Sequence, residues 1–465
     1  MSSLSALDSL LGASSSGIDL SSILEAAYGA SSPGIDVSSA VSAAVTAARA
    51  PEQAWETEEG TLQSQVSALT QIQTDATNLD NDVQSLNSLT GPFSASTVTS
   101  SDSSVISASA APGTVAGNHV VVVNNLATTA SWVSGTFASS STAVPAGSFT
   151  ITNGSGSATI TTDGTQTLAA VASQINGDNL GVTANVVTDA SGARLAITAN
   201  ASGSAANFSV SSGGLGFTQA VTGANASLSV DGISISSASN TVTNAVPGIT
   251  LSLLSANPSE QVSLQVAPDV SSATTAITQF VSDYNTVIND LSNQFAFTGT
   301  SQGVLADDST VRNLQTDVLG ALDYTATPAS GTTTVPNLSA LGITVNNDGT
   351  LTVNSSTLQG ALQNNFSDVQ NFFQGTSLNG FANSLDQQLQ SFITSDNGAF
   401  TVDLSTMNTQ ISGLQTDVNN FEANYITPLQ AQLQSEYSSA EIELQQLPSE
   451  MQQINAELGG NSSSN

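Results

Sequence analysis

Apolar residues recur every three or four positions near both ends of this chain and every two positions in between, so helical ends must enclose a β-rich middle. Toward the C-terminus Met407, Ile411, Leu414, Val418, Phe421 and Tyr425 alternate steps of four and three, the spacing of a coiled-coil seam. Near the N-terminus Leu62, Val66, Leu69, Ile72, Ala76, Leu79, Val83 and Leu86 form a second seam, with Ser, Thr, Gln, Asn and Asp on the outer face. Leu444, Met451 and Ile454 prolong the C-terminal stripe. The candidate partner-binding positions are Leu62, Val66, Leu69 and Ile72 on one seam, and Met407 through Tyr425 with Leu444, Met451 and Ile454 on the other. The competing reading is that all are ordinary core positions, because heptads this short are common in bundles.

Between the seams, residues 97–266 are rich in β-branched side chains with turns at short intervals. Residues 148–152 and 158–161 read as a hairpin, 168–175 as a short helix, and 182–187 and 194–198 as two further strands. This ββαββ order needs a compact domain of its own. Helical spacing returns over 273–295 and 311–322, the latter capped by Asp308, and again over 356–373 and 381–392. Residues 342–345 and 351–353 make a hairpin through Asn347-Asp348-Gly349.

The N-terminal helix covers 52–89 and is stopped by Gly91-Pro92. The final helix opens near Asp403 and runs to about Leu447, roughly 65 Å at 1.5 Å per residue. Pro428 should kink or divide it, and Pro448 should end it. Ahead of the first helix, Gly17-Ile18-Asp19-Leu20-Ser21-Ser22 recurs seventeen residues later as Gly34-Ile35-Asp36-Val37-Ser38-Ser39, each copy preceding an Ala-rich amphipathic run.

The expected fold class is therefore α+β multidomain: N- and C-terminal helices form a coiled-coil or bundle leg, and β-rich head domains are inserted between them. The expected division is a flexible segment over 1–33, an N-terminal helical leg over 34–92, and a β-rich head from 93–130 with 219–268. An inserted β-rich domain spans 131–218, a helical region with the hairpin and the long helix spans 269–447, and a C-terminal helix with a flexible tail spans 448–465.

Composition narrows the function. Lysine is absent, and Arg49, Arg194, Arg312 and His119 stand against 36 carboxylates, for a net charge of -33. Nucleic acid is not an expected partner, since phosphate neutralisation needs cations. A surface stripped of bases also avoids positive self-repulsion once its carboxylates protonate, which suggests exposure to acid. With no cysteine, disulfides, zinc-thiolate sites and thiol nucleophiles are excluded together. No apolar run reaches spanning length, and the first thirty residues lack the basic start and continuous apolar core of a cleavable signal peptide. Membrane insertion is not expected, and any export would be signal-independent.

Catalytic equipment is sparse, and no enzyme, cofactor or metal site is expected. His119 heads the strand Val120-Val121-Val122-Val123 with no cysteine or second histidine to pair with. The carboxylate pairs Asp80/Asp82 and Asp307/Asp308 fall at helical or capping positions. Asn347-Asp348-Gly349 lacks the longer acidic loop of a calcium site. Trp55 and Trp132 read as packing anchors, with a contact role for Trp132 as the alternative.

Several segments together resemble the flagellar filament-capping family, also called hook-associated protein 2. Gly34-Ile35-Asp36-Val37-Ser38 is similar to that family's opening motif. Residues 148–210 resemble the repeat inserted in flagellins and caps alike, most recognisably at Ile175-Asn176 and Leu195-Ala196-Ile197-Thr198. Val230-Asp231-Gly232-Ile233, Ser239-Asn240-Thr241-Val242 and 245–251 resemble the cap and not flagellin. Phe280-Val281-Ser282-Asp283-Tyr284-Asn285, 303–309 and Leu341-Gly342-Ile343 continue in the family's order.

The resemblance implies a homo-oligomeric ring at the distal tip of a bacterial flagellar filament, under which exported flagellin folds and inserts. Implied partners are further copies of the chain, flagellin, the hook-filament junction proteins and a cytoplasmic export chaperone. The implied location is extracellular, reached without a cleavable signal. Eleven of the 36 acids precede residue 96 and 18 follow residue 270; they are either ordinary solvated helix charges or a repulsion that keeps the legs of the ring mobile. Alternatives are a secreted tip adhesin that binds glycans through its β-rich head, and a flagellin-type filament subunit.

Overall fold

The computed structural model describes residues 37–154, 156–211, 213–296, 302–326 and 333–459, without the side chains of 444, 447, 448, 451 and 454–459. The first Gly-Ile-Asp copy, residues Gly34 to Asp36 of the second and the tail beyond 459 lie outside the described residues. The described residues fall into two compact units. One draws on Met1–Leu79, Asn285–Leu319 and Gln387–Asn465, the other on Asp80–Tyr284 and Gly320–Asp386.

Helix α1 (Val37–Ala48) is followed by the long α2 (Ala50–Asn87), with Pro51 in the first turn, where a missing N–H breaks no intrahelical bond. Strands β1 (Ser96–Ser100), β2 (Ile106–Ala110), β3 (Gly117–Asn125) and β4 (Ser131–Val133) come next. The ββαββ segment is β5 (Gly147–Asn153), β6 (Gly156–Thr162), α3 (Leu168–Gly177), β7 (Val182–Asp189) and β8 (Gly192–Ala199). After β9 (Ser209–Val210) and β10 (Thr218–Val221) the chain forms β11 (Ala226–Val230), β12 (Ile233–Ser237), β13 (Thr241–Val246), β14 (Ile249–Leu253) and β15 (Asn257–Pro268).

These strands close two cores. An antiparallel sheet in the order β1-β15-β3-β11-β12 and a second in the order β13-β14-β2 share one, in which Ile106, Val121, Leu228, Leu251 and Leu264 are fully buried. Its β11–β12 turn has φ of 50° at Asp231 and 83° at Gly232, the pair of positive values that a tight type I′ turn needs. Asp231 also ties the turn to β3. Its Oδ1 accepts the Val120 N–H at 2.9 Å and its Oδ2 lies 2.7 Å from His119 Nδ1, and these bonds hold the Asp231 carboxyl below the usual range.

The other core lies among β10-β4-β8-β7, β6-β5-β9 and α3, around Phe149, Ile151, Ile160, Ile175 and Leu195. Thr167 caps α3 by accepting from Ala170 N–H at 3.3 Å. Asn176 at its far end exchanges two hydrogen bonds with the Ala184 backbone of β7, at 2.7 and 3.0 Å. Trp132 packs half-buried on this core, its Nε1 donating to Phe208 O at 2.9 Å.

Beyond the strands come α4 (Val270–Phe295) and α5 (Ser309–Ala321), the latter capped by Asp308 Oδ1 accepting from Thr310 and Val311 N–H. The hairpin β16 (Ile343–Val345) and β17 (Leu351–Val353) turns where expected, with Asp348 Oδ1 accepting from Thr350 N–H at 3.0 Å. The single helix expected over 356–373 is two, α6 (Ser355–Asn364) and α7 (Phe366–Gln374), because Asn365 adopts φ -135° and ψ 39°. Asparagine competes for backbone groups with its own side chain and favours such breaks. After α8 (Phe381–Ile393), a ring cluster of Phe93, Phe280, Phe372, Phe373 and Phe381 fills the helical part of the second unit, with centroids 5.1–6.5 Å apart.

The C-terminal helix is interrupted next to Pro428, as expected, and departs from expectation at Pro448. It comprises α9 (Ala399–Phe421), a π-helical turn (Glu422–Ile426) and α10 (Thr427–Gly459). At Pro428, where a kink or division is expected, the π turn lies directly before the proline and interrupts the α-helix: Thr427 N–H donates to Glu422 O, five residues back. Pro448 does not end the run, since the backbone stays helical to Gly459. An interior proline costs about 3 kcal/mol, and the many Gln, Glu, Leu and Ala of this 33-residue helix favour its continuation.

Candidate functional site

The described parts of the terminal helices meet within the first unit. Residues of α1 lie along 430–438 of α10, while Arg49 reaches back to Glu422 and Trp55 to Phe421, so the two ends of the chain run antiparallel. Val41, Val45, Ile426 and Leu433 form the small core between them, with Val37, Ala44, Leu429 and Tyr437 packed against it. Ile426 is fully buried, and Leu433 is buried.

A clasp of rings and charges closes the junction of α1 and α2 onto the π turn. Trp55 meets Phe421 edge-on with ring centroids 5.5 Å apart, and Phe421 stacks on Tyr425 at 5.1 Å. Arg49 places Nη1 2.7 Å from Glu52 Oε2 and Nη2 2.8 Å from Glu422 Oε2. The Glu422 hydrogen bond leads the interactions that raise the Arg49 pKa, so this cation stays charged throughout the physiological range. Glu52 is buried, and Arg49 is the cation beside it. Farther along, Gln415 Nε2 donates to Glu59 Oε1 at 2.7 Å, which runs α2 against α9.

The candidate seam residues divide by burial. Leu69 and Ile72 are buried at 0% and 1% exposure, whereas Leu62 and Val66 are only half-buried. On α9, Ile411 is buried and Met407, Leu414, Val418 and Phe421 are half-buried. Tyr425 is a correction: it is 51% exposed, and Ile426 takes the inward position. The π turn inserts one residue into the repeat, so the apolar step after Phe421 is five, and the stripe continues through Ile426, Leu429, Leu433 and Tyr437. The side chains of Leu444, Met451 and Ile454 lie outside the described residues.

Two carboxyl pairs on α2 and α4 were not foreseen. In the second unit, burial and then the hydrogen bond and like charge of Asp283 push Asp82 up to about 7. In the first, burial and then Asp75 push Asp290 up to about 6. Each pair shares a proton when one member is protonated, which turns repulsion into a hydrogen bond. Asp80, the neighbour first considered with Asp82, instead accepts from Gln84 Nε2 at 2.7 Å. Asp307 is exposed beside Arg312. Among the described residues no three His, Cys, Asp or Glu side chains gather to hold a metal ion, and no helix is long and apolar enough to cross a membrane.

The candidate surface is thus the half-buried part of the two seams, Leu62 and Val66 on α2 with Met407, Leu414 and Val418 on α9, beside a polar clasp. In the sequence Tyr425 follows Phe421 by four and keeps the three-four alternation, so the five-residue step to Ile426 is visible only in the structure. Nothing local marks Arg49 and Glu422, 373 residues apart, as partners.

Comparison with known proteins bears on both regions. The family model for the Flagellar hook-associated protein 2 N-terminus matches residues 33–130, and that for its C-terminus matches 223–453. Between them, the Flagellin hook IN motif matches 148–201, within the segment that carries α3. The B-type flagellar hook-associated protein 2 of Pseudomonas aeruginosa is 27% identical over 183 residues, which is 38% of this chain and 37% of that relative. The crystal structure of the flagellar cap protein FliD D1-D2-D3 domains from Escherichia coli aligns with a TM-score of 0.57 at 25% identity, covering 74% of this chain and 99% of that one.

Proposed function

Because this chain belongs to the flagellar hook-associated protein 2 family, we propose that it caps the distal end of a bacterial flagellar filament. One observation carries this reading: residues 37–79 and 387–459, from opposite ends of the chain, fold into one helical unit in which Leu69, Ile72 and Ile411 are buried while Leu62, Val66, Met407, Leu414 and Val418 stay half-buried. Apolar stripes that a chain leaves half-covered suit docking to the helices of a partner. In this reading Leu62, Val66, Met407, Leu414 and Val418 meet the filament end, and Leu444, Met451 and Ile454 extend that contact.

Several copies assemble as a ring, beneath which exported flagellin folds and inserts before it can escape to the medium. The hook-filament junction proteins receive the cap before the first flagellin arrives, and an export chaperone holds the chain beforehand. Transit through a narrow export channel requires an unfolded chain, and a protein with no cysteine forms no disulfide to obstruct it. The cap-type match over 223–453 favours this reading over a flagellin-type subunit.

Deletion of the gene in its host provides the test. Filaments should shorten or vanish and flagellin monomer should accumulate in the medium, with both reversed by the intact gene. Filaments of normal length without monomer release would overturn the assignment.

A further inference from the structure

The apolar stripe of α2 contains one charge. Trp55, Glu59, Leu62, Val66 and Leu69 follow one another in steps of four and three, so Glu59 occupies a position that its neighbours give to apolar side chains. Its Oε1 accepts from Gln63 Nε2 at 2.8 Å and from Gln415 Nε2 of α9 at 2.7 Å. A lone polar residue in such a stripe fixes the register of a helix pair at a cost in stability. The contact of Trp55 with Phe421 obeys the same antiparallel register.

That register opposes two like charges. Gln63 and Gln415 each follow a stripe position by one residue, and on that flank the helices are joined by amide bonds to Glu59. Glu58 and Asp417 each precede a stripe position by one residue, which sets them level with each other on the other flank. Both are exposed, and among the described residues no ion pair reaches either carboxylate. Beside them Leu62, Leu414 and Val418 are half-buried. Residues 50–66 and 407–426 together hold six carboxylates and no base. Like charges held level beside a half-covered apolar stripe are relieved by a cation from outside the pair.

A second copy does not supply that cation on a helix. Lysine is absent, Arg49 is engaged by Glu52 and Glu422, Arg312 lies over the Phe295 ring at 5.7 Å, and Arg194 and His119 stand on strands. We propose that the α2–α9 pair receives a basic amphipathic helix of the subunit at the filament end. The apolar face of that helix covers Leu62, Leu414 and Val418, and a lysine or arginine on its flank lies between Glu58 and Asp417. Glu59 is a positioning residue, because it holds the two carboxylates level. The source of the helix rests on the capping reading, whereas its chemistry rests on the register.

Two probes of the full chain separate source from chemistry. The first is a synthetic helix of about three heptads with leucine along its stripe and lysine on both flanks. It should bind the intact chain roughly tenfold more tightly than a Glu58→Gln, Asp417→Asn variant. An Asp178→Asn, Asp307→Asn variant, which loses two exposed charges elsewhere, should bind it as the intact chain does. The Glu58→Gln, Asp417→Asn variant should also melt no lower than the intact chain, since it removes a repulsion. Equal weakening in both variants would reduce the effect to net charge, and a lower melting temperature would make the two carboxylates part of the packing of the pair. Either result overturns the proposal, as does no weakening in either variant. The second probe is sheared filaments of the host, whose ends should bind the three chains in the same order and less tightly as salt is added. Equal end binding by all three, or binding indifferent to salt, overturns the filament as the source of the helix. No end binding by the intact chain defeats the capping reading instead, and the peptide still decides the chemistry.

Discussion

The β-rich region and the terminal helices solve the burial problem in opposite ways. Strands β1 to β15 fold into two closed cores, and their inward residues from Ile106 to Leu264 leave almost nothing exposed. The terminal helices bury Ile426, Leu433, Val41 and Val45, yet leave Met407, Leu414 and Val418 half-covered and Ile442 56% exposed. The β-rich region does expose Val115, Val120, Val187, Val221, Ile233 and Leu254, so exposure alone does not separate the two. The half-covered positions of the terminal helices differ in following one seam, and an apolar seam gains more by binding than by solvation.

The largest expected effect breaks the closed side of this comparison. Phe149→Ala empties a fully buried position beside Phe217 and should cost about 3–5 kcal/mol in urea unfolding. Ile426→Ala should cost less, about 2–3 kcal/mol, and hydrogen exchange should show the loss confined to α1, the π turn and α10. A global loss from Ile426→Ala would mean that the terminal helices are part of the same cooperative core.

Gly248→Ala probes local backbone within the β-rich region. Gly248 has φ of 79°, and an added Cβ would lie 2.4 Å from Thr114 Oγ1, so a destabilisation of about 2 kcal/mol is expected. Gly232→Ala has the same backbone demand but open space around the new methyl, and it should cost only about 1 kcal/mol.

The carboxyl pairs sharpen the electrostatic half of the comparison. Asp82 is raised from 3.8 to about 7, so its protonated form favours the folded state. That stabilisation is complete below about pH 4 and is lost as pH rises through 7. Asp82→Asn, which keeps the hydrogen bond without the charge, should raise the melting temperature by roughly 2–4 °C at pH 8 and change little at pH 4. An identical shift at both pH values would show that the charge is irrelevant. The same sign applies to Asp290, so the intact chain should tolerate mild acid, and a sharp loss of stability near pH 3 would count against acid adaptation.

The smallest stability effect is the most informative about function. Leu414→Glu, on a half-buried position, should change unfolding by about 0.5 kcal/mol or less while abolishing filament capping in a complementation assay. A large stability loss would turn the seam into ordinary core.

Much of the fold was legible because its signals are local. Asp308 sits where a cap is needed, Asn347-Asp348-Gly349 turns a hairpin, and 168–175 carries its apolar side chains on one helical face. Asn365 and Pro448 were read wrongly by the same local logic. Asparagine supplied a break in an otherwise regular pattern, and a long run of strong helix formers outweighed one proline. The candidate site was legible as periodicity but not as contacts. Tyr425 kept the heptad count on paper, and the π turn moved the inward position to Ile426.

The sequence by itself determined the succession of helix, strand and helix, the turns and caps, and the want of cations and thiols. Each depends on steric and hydrogen-bonding preferences that act within a few residues, or on composition alone. Only the tertiary structure decided that Arg49 meets Glu422, that Trp55 meets Phe421, and that Asp82 faces Asp283. Such pairings become favourable only after packing has met the entropy of closing loops of hundreds of residues, and that closure leaves no mark on the residues nearby.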